Sequence, residues 1–214
     1  MSHKCKICGQ PTIELIDNQM KCTYDMCESC LFTYRQEQYH LTTAIEKERY
    51  SMHENNFESV GYVNMFKTLI HDFIEPHNIK GKGLEYGSGP GPVLKVLLED
   101  LGNEMYDYDP YFNNNTEYLN HQYDFITSTE VFEHFSDPMK EINHLDSLLK
   151  KGGYLIIMTS FRLESNERFL GWYYKRDETH VSFYALKTFE EIAQKLNYQI
   201  IDTNNKNSIV LKKR

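Results

Sequence analysis

Glu130-Val131-Phe132-Glu133-His134 places two carboxylates and an imidazole at spacings of three and four residues. On a helix, positions i, i+3 and i+4 share one face, so these groups would converge on a single cation. A divalent ion such as Mg²⁺ or Zn²⁺ held there would lower the pKa of a neighbouring hydroxyl and fix its orientation. Without an ion, His134 remains a candidate general base, or the segment simply packs and holds its own loop. A second donor set opens the chain. Cys5-Lys6-Ile7-Cys8-Gly9 and Cys27-Glu28-Ser29-Cys30 are separated by 18 residues, within the window of roughly 15–20 expected when two Cys-x-x-Cys pairs share one structural zinc ion. Two residues between thiolates let a tight turn present both sulfurs, and Gly9 suits the left-handed residue of such a turn. Cys22 is a spare thiol and reads as a buried strand residue.

A third stretch could hold a ligand by its backbone. Gly83-Leu84-Glu85-Tyr86-Gly87-Ser88-Gly89-Pro90-Gly91 runs from a short strand into a helix-like segment, with glycine at alternate positions of the loop. The spacing is not that of a dinucleotide site, whose third glycine would fall where Pro92 stands. Asp109 lies 22 residues beyond Gly87, close to the step of roughly 20 at which an acid meets a ribose diol. A carboxylate there accepts from both hydroxyls. Asp107 competes, but Pro110 and the alternation of the strand favour Asp109 at the strand tip.

The elements that must position these groups alternate between strand and helix. Strands are expected at 84–86, 104–110, 123–129 and 154–159, with helices at 92–101 and 139–150 between them. A helix over 188–196 and a strand pair at 198–202 and 208–212 close the chain. Ahead of the glycine loop, Val60, Val63, Phe66, Ile70, Phe73 and Ile74 recur at helical steps until Pro76. Residues 41–56 are polar and read as a connector. Thr12–Ile16 and Met20–Tyr24 would form a hairpin between the cysteine pairs, a piece too small to fold without its metal.

The order Glu-x-Gly-x-Gly-x-Gly, Asp-Pro, Asp-Phe-Ile, Glu-Val-Phe-Glu-His and Leu-Leu-Lys-Lys-Gly-Gly over residues 83–159 resembles the class I S-adenosylmethionine methyltransferases. Arg49-Tyr50, His53-Glu54-Asn55, Gly89-Pro90-Gly91-Pro92 and Asp177-Glu178-Thr179-His180-Val181 extend the likeness to a bacterial group of zinc-ribbon methyltransferases of unestablished substrate. The resemblance implies an α/β, Rossmann-like sheet, mostly parallel with the last strand antiparallel, beside a small N-terminal zinc ribbon. It implies that Glu85, Tyr86, Gly87, Ser88, Gly89 and Gly91 wrap the amino-acid end of S-adenosylmethionine, that Asp109 and Pro110 meet its ribose, and that Thr127 and Ser128 complete the cofactor site. Glu-x-x-Glu-His also occurs in metal-dependent ubiquinone-type and small-RNA methyltransferases, where a later histidine completes the site. His180 is that candidate here, so Glu133, His134 and His180 form the expected catalytic group, with Glu130 as a further ligand. Asp177 and Thr179 flank His180 and would fix its tautomer. His53 and Asn55, on a lid, and Arg162, Trp172 and Tyr184 would shape the substrate pocket. One departure stands out: only 14 residues separate Asp109 from Asp124, too few for the usual third βα unit, which puts the adenine pocket in doubt.

Composition narrows the function. Lys+Arg 23 against Asp+Glu 31 gives a net charge of −8, which disfavours bulk nucleic acid and anionic membrane surfaces. No apolar run approaches a membrane span of about 20 residues. Clustered cysteines and a polar N-terminus suit a reducing, cytoplasmic setting. The expected layout is a zinc ribbon over 1–40, a helical linker or lid over 41–80 and a methyltransferase domain over 81–214. The expected reaction is methyl transfer to a small-molecule hydroxyl, with N- or C-methylation less favoured. The alternatives are a sugar C-methyltransferase-like enzyme, whose further C-terminal domain is not seen before Arg214, and a non-catalytic adaptor whose ribbon binds a protein.

Overall fold

A computed structural model describes residues 3–50, 56–163 and 165–214. Two sheets build the chain. The larger holds β4 (Lys82–Tyr86), β5 (Glu104–Tyr108), β6 (Tyr123–Thr129), β7 (Leu149–Met158), β9 (Tyr198–Thr203) and β10 (Ser208–Lys213). Their order is β5-β4-β6-β7-β10-β9, with β10 antiparallel to both neighbours and β5, β4, β6 and β7 parallel. β6 is almost wholly buried, and so is β7 from Leu155 to Met158, as strands covered on both faces must be. One face carries α2 (Val60–Leu69) and α3 (Val93–Asp100), packed through Phe66, Leu94 and Leu98 onto Met105 and Phe125. The other carries α4 (Pro138–Leu148) and α6 (Leu186–Lys195), through Ile142, Leu145, Phe189 and Ile192.

No strand lies outside β5 among the described residues. The short connection after Asp109 forms a bridge from Asp109 to Asn113 and a single 3₁₀ turn at Thr116–Asn120. Tyr118 from that turn packs on Tyr108 with ring centroids 4.4 Å apart, covering the edge of the sheet. The missing third unit is thus replaced by aromatic packing.

The second sheet joins the N-terminal module to the rest. β1 (Ile13–Asp17), β2 (Cys22–Met26) and β3 (Thr33–Arg35) form a meander, and β3 pairs with β8 (Ser182–Phe183) from the far end of the chain. Around that seam Thr188 donates to Cys30 O at 2.8 Å, and Lys195 Nζ to Ile7 O at 2.6 Å. Phe32 is fully buried and shares one apolar cluster with Tyr184, Phe189 and Leu145. The module therefore has no core separate from the main sheet on this side. Phe32→Ala should cost about 3–5 kcal/mol and lower a single melting transition. A separate early transition, leaving the main sheet intact in calorimetry, would contradict a shared core.

Candidate active site

A cavity of about 770 Å³ opens over the C-terminal ends of β4, β5 and β6, where open α/β sheets bind ligands. The glycine loop forms its floor. Gly87 has φ +85°, and a Cβ there would lie 2.3 Å from Val131 Cγ2, so only glycine permits this backbone. Asp109 holds the loop against β5: its Oδ2 accepts from the Gly89 N–H at 2.9 Å, and its Oδ1 from the N–H groups of Tyr111 and Phe112. Tyr86, Gly87, Gly89, Asp109 and Pro110 line the cavity. Glu85, Ser88, Gly91, Thr127 and Ser128 do not. Glu85 sits beneath the loop, 2% exposed, and accepts from the Lys95 N–H at the start of α3. Burial pushes its carboxyl up to about 8. Asp107 turns away and pairs with Lys95 at 2.8 Å, leaving Asp109 at the cavity as its place at the strand tip suggested.

Above the loop lie the groups of the Glu-x-x-Glu-His segment. They are not on an α-helix: Glu130 has φ +53° and Phe132–His134 is a single 3₁₀ turn. Glu133 nevertheless comes together with His134 and with distant His180, one ligand atom from each lying within 4.8 Å of the others. Glu130 lines the same cavity outside that trio, its Oε2 3.2 Å from the Tyr174 hydroxyl. Glu133 has no exposed surface; its Oε1 accepts from Tyr174 OH at 2.6 Å and its Oε2 from Thr159 at 2.8 Å. The two imidazoles are oriented alike. His134 Nδ1–H donates to Thr179 O at 3.0 Å and His180 Nδ1–H to Tyr174 O at 2.8 Å, which turns each Nε2 lone pair free. Asp177 binds the backbone and hydroxyl of Thr179 and stands 3.9 Å from His180 Nε2.

Burial governs the charge of these groups. It lowers His134 and takes His180 down to about 4, while it raises Glu133 and lifts Glu130 to about 8, with the Glu133 charge adding to the latter shift. An imidazole near 4 drives proton abstraction from a hydroxyl poorly at neutral pH. A neutral imidazole whose Nδ1–H is fixed by a carbonyl, beside a desolvated carboxylate, is instead the donor set of a metal ion. These residues therefore fit a divalent cation.

The expected substrate residues divide. Tyr184 is fully buried, stacks on Phe189 and donates to Phe132 O. Arg162 is buried away from the cavity and ties the module to the core through Thr33, with its Nε 2.7 Å from Thr33 Oγ1. Trp172 packs among Phe169, Tyr174 and Phe183. None of the three lines the cavity, and His53 and Asn55 lie outside the described residues. Their place is taken by α1 (Thr43–Tyr50) in the stretch read as a connector. Tyr50 stands edge-on to His134 at 5.2 Å, Glu46 accepts from the Tyr111 hydroxyl, and Arg49 pairs with Asp177 and Glu178. Tyr62, Met65 and Phe66 of α2 and Tyr173 complete the walls. The steps Glu46-x-x-x-Tyr50 and Tyr62-x-x-x-Phe66 were the available signal, since each puts a pair on one helix face.

The four cysteines of the N-terminal pairs also converge. Cys5 and Cys30 sulfurs are 3.5 Å apart, Cys8 and Cys27 3.4 Å, and all four lie within 4.8 Å of one another. Tetrahedral zinc thiolates place sulfurs about 3.8 Å apart, so the set fits such an ion. The Cys30 hydrogen bond draws Cys5 down to about 5, the same contact pushes Cys30 up, and burial raises Cys8 to about 11. Cys22 stands apart, buried on β2.

The sheet order, the glycine cradle and the acid at the tip of β5 define a Rossmann-like class I methyltransferase fold. A family model described as a methyltransferase domain matches residues 58–203, and the chain belongs to that family as an S-adenosylmethionine-dependent methyltransferase. Magnesium protoporphyrin IX methyltransferase from Synechocystis PCC 6803, solved with S-adenosylhomocysteine bound, shares the fold at TM-score 0.56 and 15% identity over 83% of this chain and 97% of that one. A protein from Pyrococcus horikoshii OT3 aligns at TM-score 0.51 and 15% identity, covering 73% and 93%. A plantazolicin methyltransferase, in complex with a pentazolic desmethylPZN analogue and S-adenosylhomocysteine, aligns at TM-score 0.50 and 13% identity, covering 79% and 91%. No curated protein matches the chain. No described helix is long and apolar enough to cross a membrane.

His180 yields a pH prediction. Its folded value of about 4 lies below the ordinary 6.5, so its neutral burial stabilises the protein above 6.5 and is lost as pH falls toward 4, by on the order of 3 kcal/mol in all. Glu130 and Glu85 act oppositely, losing stabilisation as pH rises from 4.5 toward 8. In buffer free of divalent ions, urea unfolding of His180→Gln should therefore show a flatter acid limb than the native chain. Parallel pH profiles would refute the depressed value.

Proposed function

We propose that the enzyme methylates a hydroxyl of a small molecule, with the methyl donor lying over the glycine loop and the acceptor between α1, α2 and the histidine pair. The observation that carries this reading is the juxtaposition, in one cavity, of the Gly87–Gly89 cradle with Glu133 and two neutral imidazoles whose Nδ1 atoms are taken up by backbone carbonyls. Asp109 keeps acceptor capacity on Oδ2 for a ribose hydroxyl beyond its bond to Gly89. Tyr108 and Phe112 line the cavity beside it and offer aromatic faces to the adenine where the third βα unit is lacking.

Glu133, His134 and His180, with Glu130 adjoining, would hold a divalent cation. When bound, that cation supplies a lowered hydroxyl pKa and a fixed direction of attack. The chain's own part is to keep both imidazoles neutral and oriented, to exclude water beneath Tyr50 and Tyr174, and to align the acceptor with the methyl. No lysine or arginine lines the cavity among the described residues, whereas Glu46, Glu130, Glu133 and Asp177 do. Such walls favour an uncharged or amine-bearing acceptor over a phosphorylated one. The cysteine set would carry structural zinc in a reducing, cytoplasmic setting.

S-adenosylhomocysteine at about one hundred times its Kd should stabilise the protein by about 2.7 kcal/mol, a rise of several degrees in Tm. Asp109→Ala should remove the rise. A native chain that does not respond would fit the non-catalytic adaptor instead. Incubating hydroxylated metabolites with methyl-labelled donor should then yield a labelled ether. A labelled amine or C-methyl product would refute hydroxyl transfer.

A further inference from the structure

The segment 174–181 separates the cavity from the cysteine module, and its backbone carbonyls serve both sides. Tyr174 O and Thr179 O accept from the two cavity imidazoles. Lys175 O and Glu178 O point the other way and accept from one guanidinium, that of Arg35 in β3, at 3.1 and 2.8 Å. Arg35 is only 2% exposed, and its own N–H donates to Val181 O at 2.8 Å. Val181 N–H in turn donates to Glu133 O at 2.8 Å. A second tie lies beside it: Asp17 at the end of β1 pairs with Lys175, both side chains being almost wholly buried. The Tyr24 hydroxyl accepts from the same Arg35 nitrogen that reaches Lys175 O.

The segment needs such support. Apart from a 3₁₀ turn at Tyr174–Arg176 it has no regular structure until β8, so neighbouring residues have no ladder to fix their peptide planes. A carbonyl can orient an imidazole only if its own peptide plane is held. The planar fork of an arginine meets two carbonyls at once, whereas a lysine offers a single point charge. We propose that Arg35 is a positioning residue for the active site: by fixing from behind the peptide planes that carry Lys175 O and Glu178 O, each next to one that an imidazole uses, it sets the tautomer and direction of His134 and His180. The cysteine module is then the rear wall of the catalytic centre. This inference rests on reading the histidine pair as part of that centre.

The test reads the imidazoles directly. Long-range ¹H–¹⁵N NMR of native protein loaded with S-adenosylhomocysteine should show His134 and His180 as Nδ1–H tautomers. In Arg35→Met, retaining its thermal response to S-adenosylhomocysteine, those signals should move toward mixed or Nε2–H tautomers. Mn²⁺ affinity at the histidine site should fall by about ten-fold or more, the usual loss when a ligand's supporting hydrogen bond goes. Arg35→Lys keeps the buried charge but not the fork, and should give an intermediate spectrum. It also carries the test if the methionine variant does not fold. Unchanged tautomers in either folded variant would overturn the proposal and leave Arg35 a structural residue. Failure of the native chain to respond to S-adenosylhomocysteine would overturn the functional reading instead, which the histidine spectra do not address.

Discussion

A carboxylate with no exposed surface dominates the site. Glu133 lies at the base of the cavity with one oxygen on Tyr174 and the other on Thr159, and Glu130 faces it across the Tyr174 hydroxyl. Removing a charge from water costs several kcal/mol even after relaxation, and a second carboxylate nearby adds repulsion. Two hydroxyl donors offset only part of that. The remainder must come from a proton or from a cation. Two imidazoles, which the same burial keeps neutral, complete the group.

The need to orient those imidazoles extends outward through the fold. His180 reaches the cavity because the segment before β8 folds back from α5 (Asn166–Leu170) over the ends of β6 and β7. From the front, α1 clamps that segment by Arg49; from the back, β3 pairs with β8. The cysteine cluster anchors the strand doing the pairing, since Cys27 N–H bonds Phe32 O and Cys30 O receives Thr188. The cysteine cluster and the cavity thus share one load path, although they are built from opposite ends of the sequence.

What could be read in advance was whatever a local pattern encodes. The alternate glycines require a left-handed backbone at Gly87, the paired cysteines converge as one set of four thiols, and the short step from Asp109 to Asp124 leaves no room for a strand. Each of these is a constraint within a few residues. The helical placement of Glu130 was wrong because its left-handed backbone depends on β6 ending against Met158, to which its N–H donates. Arg162, Trp172 and Tyr184 have the chemistry of pocket residues, but long-range packing against Thr33, Phe169 and Phe189 claims them for the core. Conversely, the polarity of residues 43–50 concealed that Glu46 and Tyr50 face the cavity. Which face of a polar helix is covered depends on its partner, here Tyr111 and the loop bearing Asp177.

The most direct test of the account is anomalous diffraction from crystals grown with S-adenosylhomocysteine and Mn²⁺, collected at the manganese edge. The account predicts a peak in bonding contact with Glu133, His134 and His180, beside the nucleoside sulfur held over Gly87 and Gly89. An empty histidine site with the nucleoside in place, its imidazoles hydrogen-bonded only to water or protein, would contradict it.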